Sequence, residues 1–219
     1  MSILYPIPSH PRFISLEGGE GAGKSTVLHA LRDALTSAGD EVVSTREPGG
    51  TPLAERIREL LLDPTHEPAV AETELLLMFA ARVQHVRETI QPALARGAWV
   101  LCDRFTDSSY AYQGAARGLD PSLIHELERR VVGLRPALTL LLDLGVAQGR
   151  ERTRGRDLVP DRIESEQDDF FERVRAGYRA RAAADPQRFR TIDASQSAAG
   201  VAADAVHQLQ QWRQREQAA

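Results

Sequence analysis

The sequence predicts an α/β fold in which five parallel strands form one sheet with helices on both faces. Short apolar runs alternate along the chain with longer stretches in which apolar residues recur every three or four positions. Parallel strands require a crossover connection, and a helix is the usual crossover. The run at residues 137–142 is apolar at nearly every position, as in a strand covered on both faces. We therefore expect a three-layer, single-domain protein over residues 1–219.

The first half of the chain alternates strand and helix. Residues 1–11 contain three prolines, each without a backbone donor, and are expected to form an irregular arm. The predicted strands are residues 12–16, 41–45 and 99–102, and the predicted helices are residues 24–38, 53–62 and 73–96. Gly39 and Gly97 suit helix C-termini, and Pro92 is expected to distort the third helix.

The second half continues the alternation. Further strands are predicted at residues 137–142 and 189–192, and further helices at residues 123–132, 146–152, 164–184 and 198–212. An arginine-rich stretch at about residues 149–163 is expected to be an insertion between two of these helices. Ligands of such sheets bind at the carboxyl ends of the strands, which is where we expect the site.

Composition narrows the class of protein. The chain is 42% apolar and 26% charged with a net charge of −4, which is typical of a globular protein and argues weakly against nucleic-acid binding. The longest apolar run, residues 75–81, is far shorter than the ~20 residues that span a bilayer, and the N-terminus lacks the basic start of a secretory signal. Cys102 is the only cysteine, and the histidines lack the spacing of zinc ligands. We expect a soluble, cytoplasmic protein without a membrane partner.

A glycine-rich motif carries the strongest functional signal. It matches G-x-x-x-x-G-K-[ST] and comprises Gly18, Gly19, Glu20, Gly21, Ala22, Gly23, Lys24 and Ser25, followed by Thr26. Glycines allow backbone N–H groups to surround a phosphate, and the following helix start presents free donors to it. A chance glycine-rich turn is the alternative, but the motif joins a predicted strand to a predicted helix. We expect it to bind the phosphates of ATP, with Lys24 on the β- and γ-phosphates.

A second candidate for this site is Asp103, at the end of a predicted buried strand. In nucleotide-binding sites of this kind a carboxylate there supports Mg²⁺, and the Ser25 hydroxyl is a further ligand. The alternatives are that Asp103 caps the next helix or pairs with Arg104. We favour support of the metal.

The chain has no N-K-x-D motif for guanine and no room for the partner domains of a motor or transporter. It does carry many arginines, which can compensate the charge that develops in phosphoryl transfer. These features favour a kinase acting on a small phosphorylated acceptor.

Four stretches resemble bacterial thymidylate kinases. They are FISLEGGEGAGKST, TREPGGTPLAERIREL, CDRFTDSSYAYQGAARG and DRIESEQDDFFERV. The resemblance runs from about Arg12 to the last helix. It implies a P-loop nucleoside monophosphate kinase fold with a short lid at about residues 149–163, and a homodimer. The implied reaction uses ATP and Mg²⁺ to phosphorylate dTMP to dTDP, on the way to dTTP for DNA synthesis.

By this resemblance Arg58 and Arg104 would hold the phosphate of dTMP, for which a guanidinium fork is well suited. Taken alone, Arg58 would more readily be read as a surface charge paired with Glu55 or Glu59. Glu47 would orient Arg46 or a water near the same phosphate.

The resemblance also implies a base pocket. Arg82 would reach a thymine carbonyl, while Ser109 and Gln113 would bond the pyrimidine edge. Tyr112 would close against the deoxyribose and leave little room for a 2′-hydroxyl, unless it is simply a core residue.

The residue that covers the base is less determined. Relatives are expected to carry an aromatic four residues before the arginine, but Met78 stands there and Phe79 follows it. Either side chain can lie on the same helix face as Arg82, and either can belong to the core.

The resemblance also implies roles for Glu20 in the glycine-rich motif and for the arginines of the lid. Glu20 would bond the 3′-hydroxyl of dTMP, and members with glycine at the position of Gly21 take their catalytic arginine from the lid. The lid candidates are Arg150, Arg152, Arg154 and Arg156, of which Arg154 is preferred. A solvated, charged helix end is the alternative.

The sequence thus predicts a thymidylate kinase. The open alternatives are a nucleoside monophosphate kinase acting on UMP or dCMP, and a non-catalytic nucleotide-sensing module that keeps the P-loop.

Overall fold

The computed structural model describes residues 7–154 and 161–218. Its strands are β1 (Ser9–Gly18), β2 (Val42–Arg46), β3 (Trp99–Asp103), β4 (Arg135–Asp143) and β5 (Phe189–Asp193). Its helices are α1 (Lys24–Ser37), α2 (Pro52–Leu62), α3 (Ala71–His85), α4 (Gln91–Ala95), α5 (Thr106–Ser109), α6 (Pro121–Leu127), α7 (Val146–Thr153), α8 (Asp168–Ala184) and α9 (Ala198–Ala218). No helix in these two ranges combines the length and the apolar character needed to cross a membrane.

The five strands form one parallel sheet, as predicted, and their order is β2-β3-β1-β4-β5. The central strand β1 pairs with β3 and β4, so Leu16 lies opposite Asp103 and Gly18 opposite Leu142. Because all strands run the same way, the glycine-rich loop after β1 and the end of β3 meet at one edge of the sheet.

Helices cover both faces of the sheet, which confirms the three-layer architecture. On one face α1 and α9 pack together, and Leu31 and Leu209 meet the strands in a core that includes Ile14 and Leu140. On the other face α3, α6 and α8 cover two further clusters. Buried aliphatic and aromatic side chains therefore hold the carboxyl ends of the strands in fixed positions.

Several predicted boundaries were wrong, including the end of the last helix, which was predicted at residue 212 and lies at Ala218. The predicted arm of residues 1–11 ends earlier, because β1 begins at Ser9, which pairs with Arg135 of β4. The register of this pair shifts between His10 and Ile14, and that irregularity accommodates Pro11. The helix predicted from residue 164 begins at Asp168.

The helices α3, α5 and α6 each continue into a π-helical segment, which the apolar spacing did not predict. These segments are Val86–Ile90, Tyr110–Ala116 and Glu128–Val132. The first lies directly before Pro92, whose ring and missing donor disturb α-helical geometry as expected. The second continues α5, so the stretch 106–116, left unassigned by the sequence, is helical.

A buried ion pair joins the sheet to two helices. The carboxylate of Asp107 is fully buried and accepts hydrogen bonds from Arg188 at 2.6 and 3.0 Å and from Arg181 at 3.0 Å. Arg188 also donates to the hydroxyl of Thr139 in β4 at 2.8 Å. Removing Arg188 would leave Asp107 with less than half of its donors in a place that water does not reach.

We predict that Arg188→Met lowers the free energy of unfolding by about 3 kcal/mol, because a buried carboxylate loses its main partner. Urea denaturation measures this. The control is Arg96→Met, since the Arg96–Glu41 pair is about half exposed and is worth less than about 1 kcal/mol. Equal effects of the two substitutions would contradict the prediction.

Candidate active site

The glycine-rich loop is positioned by the two elements that flank it. It joins β1 to α1, and the helix begins at Lys24 with its first N–H groups facing the loop. Gly21 has φ of 70° and packs against α7, where a Cβ atom would lie 2.5 Å from the carbonyl oxygen of Gly149. A side chain at Gly21 is therefore excluded by the backbone of α7 as well as by its own backbone conformation.

Lys24, the only lysine of the chain, lies against the loop. Its Nζ donates to the carbonyl oxygens of Gly19 at 2.9 Å and Gly18 at 3.2 Å. Burial, aided by the charge of Arg104, lowers the pKa of Lys24 to about 8. The ammonium group is thus held at the centre of the loop, where an anion would be a stronger partner than two carbonyls.

Asp103 lies beside this loop with an unused acceptor. Its Oδ1 atom is buried and has no hydrogen-bond partner in the described residues. Neither alternative role of Asp103 is observed. Asp103 does not cap α5, which has no side-chain cap, and it forms no ion pair with Arg104 within the described residues. Because a carboxylate oxygen and the exposed Ser25 hydroxyl are hard oxygen ligands, this edge of the sheet fits a hydrated Mg²⁺ ion.

A cavity of about 580 Å³ opens next to the loop, and we call it the acceptor cavity. It brings together nine of the ten residues predicted to bind dTMP: Glu20, Glu47, Arg58, Met78, Arg82, Arg104, Ser109, Tyr112 and Gln113. Pro48, Leu62, Ser108, Asp161 and Ile163 complete its lining. Residues that lie far apart in the sequence therefore form one concave site.

Three hydrogen bonds fix the position of the Arg82 guanidinium group, which lines this cavity. Its Nε donates to Glu47 at 2.5 Å, its Nη1 to Ser109 at 3.0 Å and its Nη2 to the carbonyl oxygen of Phe105 at 3.2 Å. The predicted link between Glu47 and Arg46 was wrong, because Arg46 pairs with Glu55 at 2.9 Å. Glu47 instead orients Arg82.

Met78 and Phe79 take different places. Met78 lines the acceptor cavity one helical turn before Arg82. Phe79 is not part of that lining: it lies in the core cluster of Phe13 and Phe105. Its ring lies 4.7 Å from the Arg82 guanidinium carbon, so it supports the arginine from the core side. The predicted contact of Phe79 with the base has no basis in this arrangement.

Arg104 and Arg58 both reach the acceptor cavity. Arg104 follows β3 with φ of 69°, and its Nη1 donates to the hydroxyl of Tyr178 at 3.0 Å. Its guanidinium carbon lies 5.0 Å from the ring of Tyr112, and Glu20 lies 3.9 Å from Nη2.

Arg58 is part-buried and donates to the carbonyl oxygen of Pro48 at 3.1 Å. Arg58 forms no ion pair with Glu55 or Glu59 in the described structure. It lines the acceptor cavity instead. Burial and the charge of Arg46 lower its pKa from the usual arginine value. A phosphate dianion would relieve both effects.

Tyr112 is both a core residue and a residue that lines the acceptor cavity, which are the two roles expected from the sequence. It packs against Phe170 and Tyr178 in the core and also lines the acceptor cavity. Its hydroxyl is buried with no hydrogen-bond partner in the described residues, which leaves it available to a bound molecule.

Sequence reasoning missed Glu17, which lies in β1 directly before the glycine-rich loop. Its carboxyl group is fully buried and accepts from the Phe105 N–H at 2.7 Å, the Ser108 hydroxyl at 2.7 Å and the Tyr178 hydroxyl at 2.9 Å. Since Tyr178 also accepts from Arg104, Glu17 supports that arginine indirectly. The available signal was an acidic residue directly after the apolar predicted strand of residues 12–16.

The arginines predicted for the lid differ in whether their side chains have hydrogen-bond partners among the described residues. Arg150 donates to Asp168 at 3.0 Å and to the backbone carbonyls of Glu164 and Glu166, and Arg152 donates to carbonyls after β5, including Ala194 at 2.8 Å. Arg154 is exposed at the end of α7, and its side chain makes no hydrogen bond to any described residue. Arg156 lies outside the described residues.

A second cavity, of about 990 Å³, lies between the loop, the end of β4 and α8. Gly19 and Glu20 line it together with Val146, Arg150 and Phe171. Glu20 therefore stands between the two cavities.

Glu47, His85 and Cys102 bring potential metal-ligand atoms within 4.8 Å of one another. Their hydrogen bonds already use these atoms. His85 bonds Glu47 at 3.0 Å and the Thr45 hydroxyl at 2.7 Å, and Cys102 donates to the Arg104 carbonyl at 3.0 Å. The cluster is a part of the support of Arg82.

We predict a pH dependence of stability from Glu17, because burial and the nearby charge of Asp107 raise its pKa to about 7, from 4.5. The folded chain then holds a proton that the unfolded chain has lost, so stability falls as pH rises from about 4.5 to about 7. The loss from this group is on the order of 3 kcal/mol, at about 1.4 kcal/mol per pKa unit. Glu17→Gln, which resembles the protonated form, should remove it.

Urea denaturation at pH 5, 6 and 7.5 measures the difference between the two proteins. The exposed Glu41→Gln variant is the control and should keep the slope of the unaltered chain. If Glu17→Gln keeps that slope as well, Glu17 does not titrate in this range.

Comparison with known proteins agrees with the geometry. A family model described as thymidylate kinase matches residues 16–205. The thymidylate kinase of Ectopseudomonas mendocina is 58% identical over 88% of this chain and 91% of its own. That of Chromohalobacter salexigens is 56% identical over 92% of this chain and 98% of its own.

A solved structure of thymidylate kinase from Ehrlichia chaffeensis superposes with a TM-score of 0.75 at 33% identity. It covers 90% of this chain and 97% of the other chain. Residues 16–205, which the family model matches, include the glycine-rich loop, the end of β3 and the residues that line the acceptor cavity. The five-stranded parallel sheet is that of a P-loop nucleoside monophosphate kinase. The chain belongs to the thymidylate kinase family.

Proposed function

We propose that this chain transfers the γ-phosphoryl group of ATP to the phosphate of dTMP, giving ADP and dTDP. The observation that carries this proposal is the acceptor cavity. It adjoins a phosphate-binding loop and is lined by Arg58, Arg82 and Arg104 together with an uncharged hydrogen-bonding side chain, Gln113. Two arginines suit the acceptor phosphate, and the rest of the lining suits a base.

On the donor side, the residues from Gly18 to Thr26 would bind the ATP phosphates. Lys24 would exchange its two carbonyl partners for phosphate oxygens. Ser25 and Asp103 would hold Mg²⁺, directly or through water, and the ion supplies positive charge that neutralises the phosphates when bound.

On the acceptor side, Arg58 and Arg104 would hold the dTMP phosphate, with Glu20 at the 3′-hydroxyl. Tyr112 would contact the deoxyribose, and Met78 would cover the base. Arg82, Ser109 and Gln113 would read the edge of the base, with Glu47 holding Arg82 in place.

The reaction needs no general base, because the attacking group is already a phosphate oxygen. The γ-phosphorus gains a bond to that oxygen and loses its bond to the ADP oxygen. Catalysis then consists of positioning and of charge compensation. Lys24 compensates on the loop side, and we propose that Arg154, at the end of α7, compensates from the lid. The predicted lid covers about residues 149–163 of a single domain, and residues 155–160 of it lie outside the described residues.

The alternatives are less favoured. A nucleotide sensor has no need for the second phosphate clamp that Arg58 and Arg104 form. Kinases for UMP or dCMP do not agree with the family to which this chain belongs.

We also propose that the chain acts as a cytoplasmic homodimer. Leu53 and Leu60 are exposed on one face of α2, and Leu76 is 56% exposed on α3, which packs against α2. Such large apolar side chains favour a protein interface.

The proposal is tested by ADP release from ATP·Mg²⁺ with dTMP, dUMP, UMP, dCMP, AMP and GMP as acceptors. We predict strong turnover with dTMP, weaker turnover with dUMP and little with the others. Lys24→Ala should lose most of kcat while keeping the thermal unfolding temperature, because within the described residues its ammonium group donates hydrogen bonds only to loop carbonyls. Preference for a different monophosphate would contradict the base contacts, and turnover by Lys24→Ala would contradict the role of the loop.

We further predict that Arg154→Ala lowers kcat about a thousandfold, as for other arginines that meet a transferring phosphoryl group. The KM for dTMP should stay within about threefold, because Arg154 does not line the acceptor cavity. The control is Arg130→Ala, since Arg130 is an exposed arginine that pairs with Glu126 away from both cavities. A raised KM with unchanged kcat would show that Arg154 binds substrate instead.

A further inference from the structure

Glu74 is a buried carboxylate that the proposed mechanism does not use. It lies in the first turn of α3, with 1% of its surface exposed, and does not line the acceptor cavity. Its Oε1 accepts from Gln113 Nε2 at 2.8 Å. Its Oε2 accepts from Arg162 at 2.6 Å and Arg117 at 3.3 Å. Glu74 therefore stands directly behind a residue that does line the cavity.

The charge of Glu74 is maintained by these partners. Burial raises its pKa, but the hydrogen bonds from Gln113 and Arg162 and the charge of Arg117 outweigh burial, so the pKa lies below the usual value. An ionised carboxylate can only accept hydrogen bonds. Gln113 must therefore turn its NH₂ group towards Glu74, because the reverse orientation would place two oxygen atoms against each other.

The fixed amide determines what Gln113 offers to the cavity. With one N–H of Nε2 donated to Glu74, its Oε1 is the acceptor left for a ligand, and no described residue donates to it. The neighbouring Arg82 presents N–H groups beside Ser109. The cavity thus combines a hydrogen-bond acceptor at Gln113 with a hydrogen-bond donor at Arg82.

This pattern distinguishes pyrimidines by their hydrogen-bonding edge. Thymine and uracil carry a donor at N3–H and an acceptor at O4, which complement the acceptor and the donor of the cavity. Cytosine carries an acceptor at N3 and a donor at its 4-amino group. A cytosine in the same pose would therefore place like groups together at both positions and leave buried polar groups unpaired.

We propose that Glu74 is a specificity-determining positioning residue, which selects thymine and uracil over cytosine by fixing the orientation of the Gln113 amide. This inference rests on the proposed function, since it requires a nucleoside monophosphate in the acceptor cavity.

The same carboxylate connects Gln113 to a further segment that lines the cavity, residues 161–163. Arg162 donates from its backbone N–H to the carbonyl oxygen of Leu62 at 3.0 Å, and from Nε to that of Leu61 at 2.8 Å. Its neighbours Asp161 and Ile163 line the cavity. Loss of the Glu74 charge could thus act on the fold of this segment, and the experiment has to separate that effect from base selection.

The test is Glu74→Gln, which keeps the shape but allows the new amide to donate as well as accept. Gln113 can then take both orientations. We expect the ratio of kcat/KM for dTMP to that for dCMP to fall about tenfold or more, as one buried hydrogen-bond mismatch is relieved. The dTMP to dUMP ratio should stay unchanged, because both bases carry N3–H.

Glu128→Gln is the matched control. Glu128 is equally buried, pairs with Arg135 and the hydroxyls of Thr106 and Tyr110, and does not line the cavity. It should leave both ratios unchanged. Glu74→Asp keeps the negative charge but draws the carboxylate back by one methylene group, which weakens its hold on Gln113. A smaller fall in the dTMP to dCMP ratio is therefore expected from this variant, even if Glu74→Gln does not fold.

The outcomes separate the role of Glu74 from the activity of the chain. An equal loss of kcat/KM for all acceptors in both Glu74 variants would show a purely structural role and overturn the inference. The inference also fails if the unaltered chain prefers dTMP and both variants keep that preference. If the folded, unaltered chain turns over no monophosphate at all, the proposed function itself fails.

Discussion

Buried carboxylates determine where the side chains of the acceptor cavity point. Glu47 holds Arg82 through a 2.5 Å hydrogen bond. Glu74 holds Gln113, and Glu17 supports Arg104 through the hydroxyl of Tyr178. Buried carboxyl groups of this kind add little to stability, but removing a partner leaves a buried polar group unpaired, so each holds its neighbour in one orientation. The cavity therefore has its donors and acceptors arranged before any ligand enters, which reduces the cost of binding.

The sheet supplies the second constraint, which is the distance between donor and acceptor. Because β1 and β3 are neighbours, the glycine-rich loop and the pair Asp103–Arg104 leave the sheet side by side. The contact of Gly21 with Gly149 then joins the loop to α7, the helix that leads to Arg154. Adjacent parallel strands therefore bring these groups to neighbouring positions at one edge of the sheet.

Much of this arrangement could be predicted from sequence, where the signal is local. The alternation of strand and helix, the glycine-rich motif and Asp103 at a strand end depend on residues that are close in the chain. Contacts that depend on tertiary packing could not be read in this way. Glu47 pairs with Arg82 and not with the adjacent Arg46, and Phe79 faces the core although its spacing also permits the cavity. The pairing of Ser9 across the sheet is of the same kind.

The central claim is that the cavity is arranged before dTMP binds, and crystal structures of the chain with and without dTMP test it most directly. We expect dTMP in the acceptor cavity with its phosphate at Arg58 and Arg104. The hydrogen bonds Glu47–Arg82 and Glu74–Gln113 should be kept, and their side chains should shift by less than about 1 Å. A bound structure in which Gln113 has turned its NH₂ group away from Glu74, or Arg82 has left Glu47, would contradict the account.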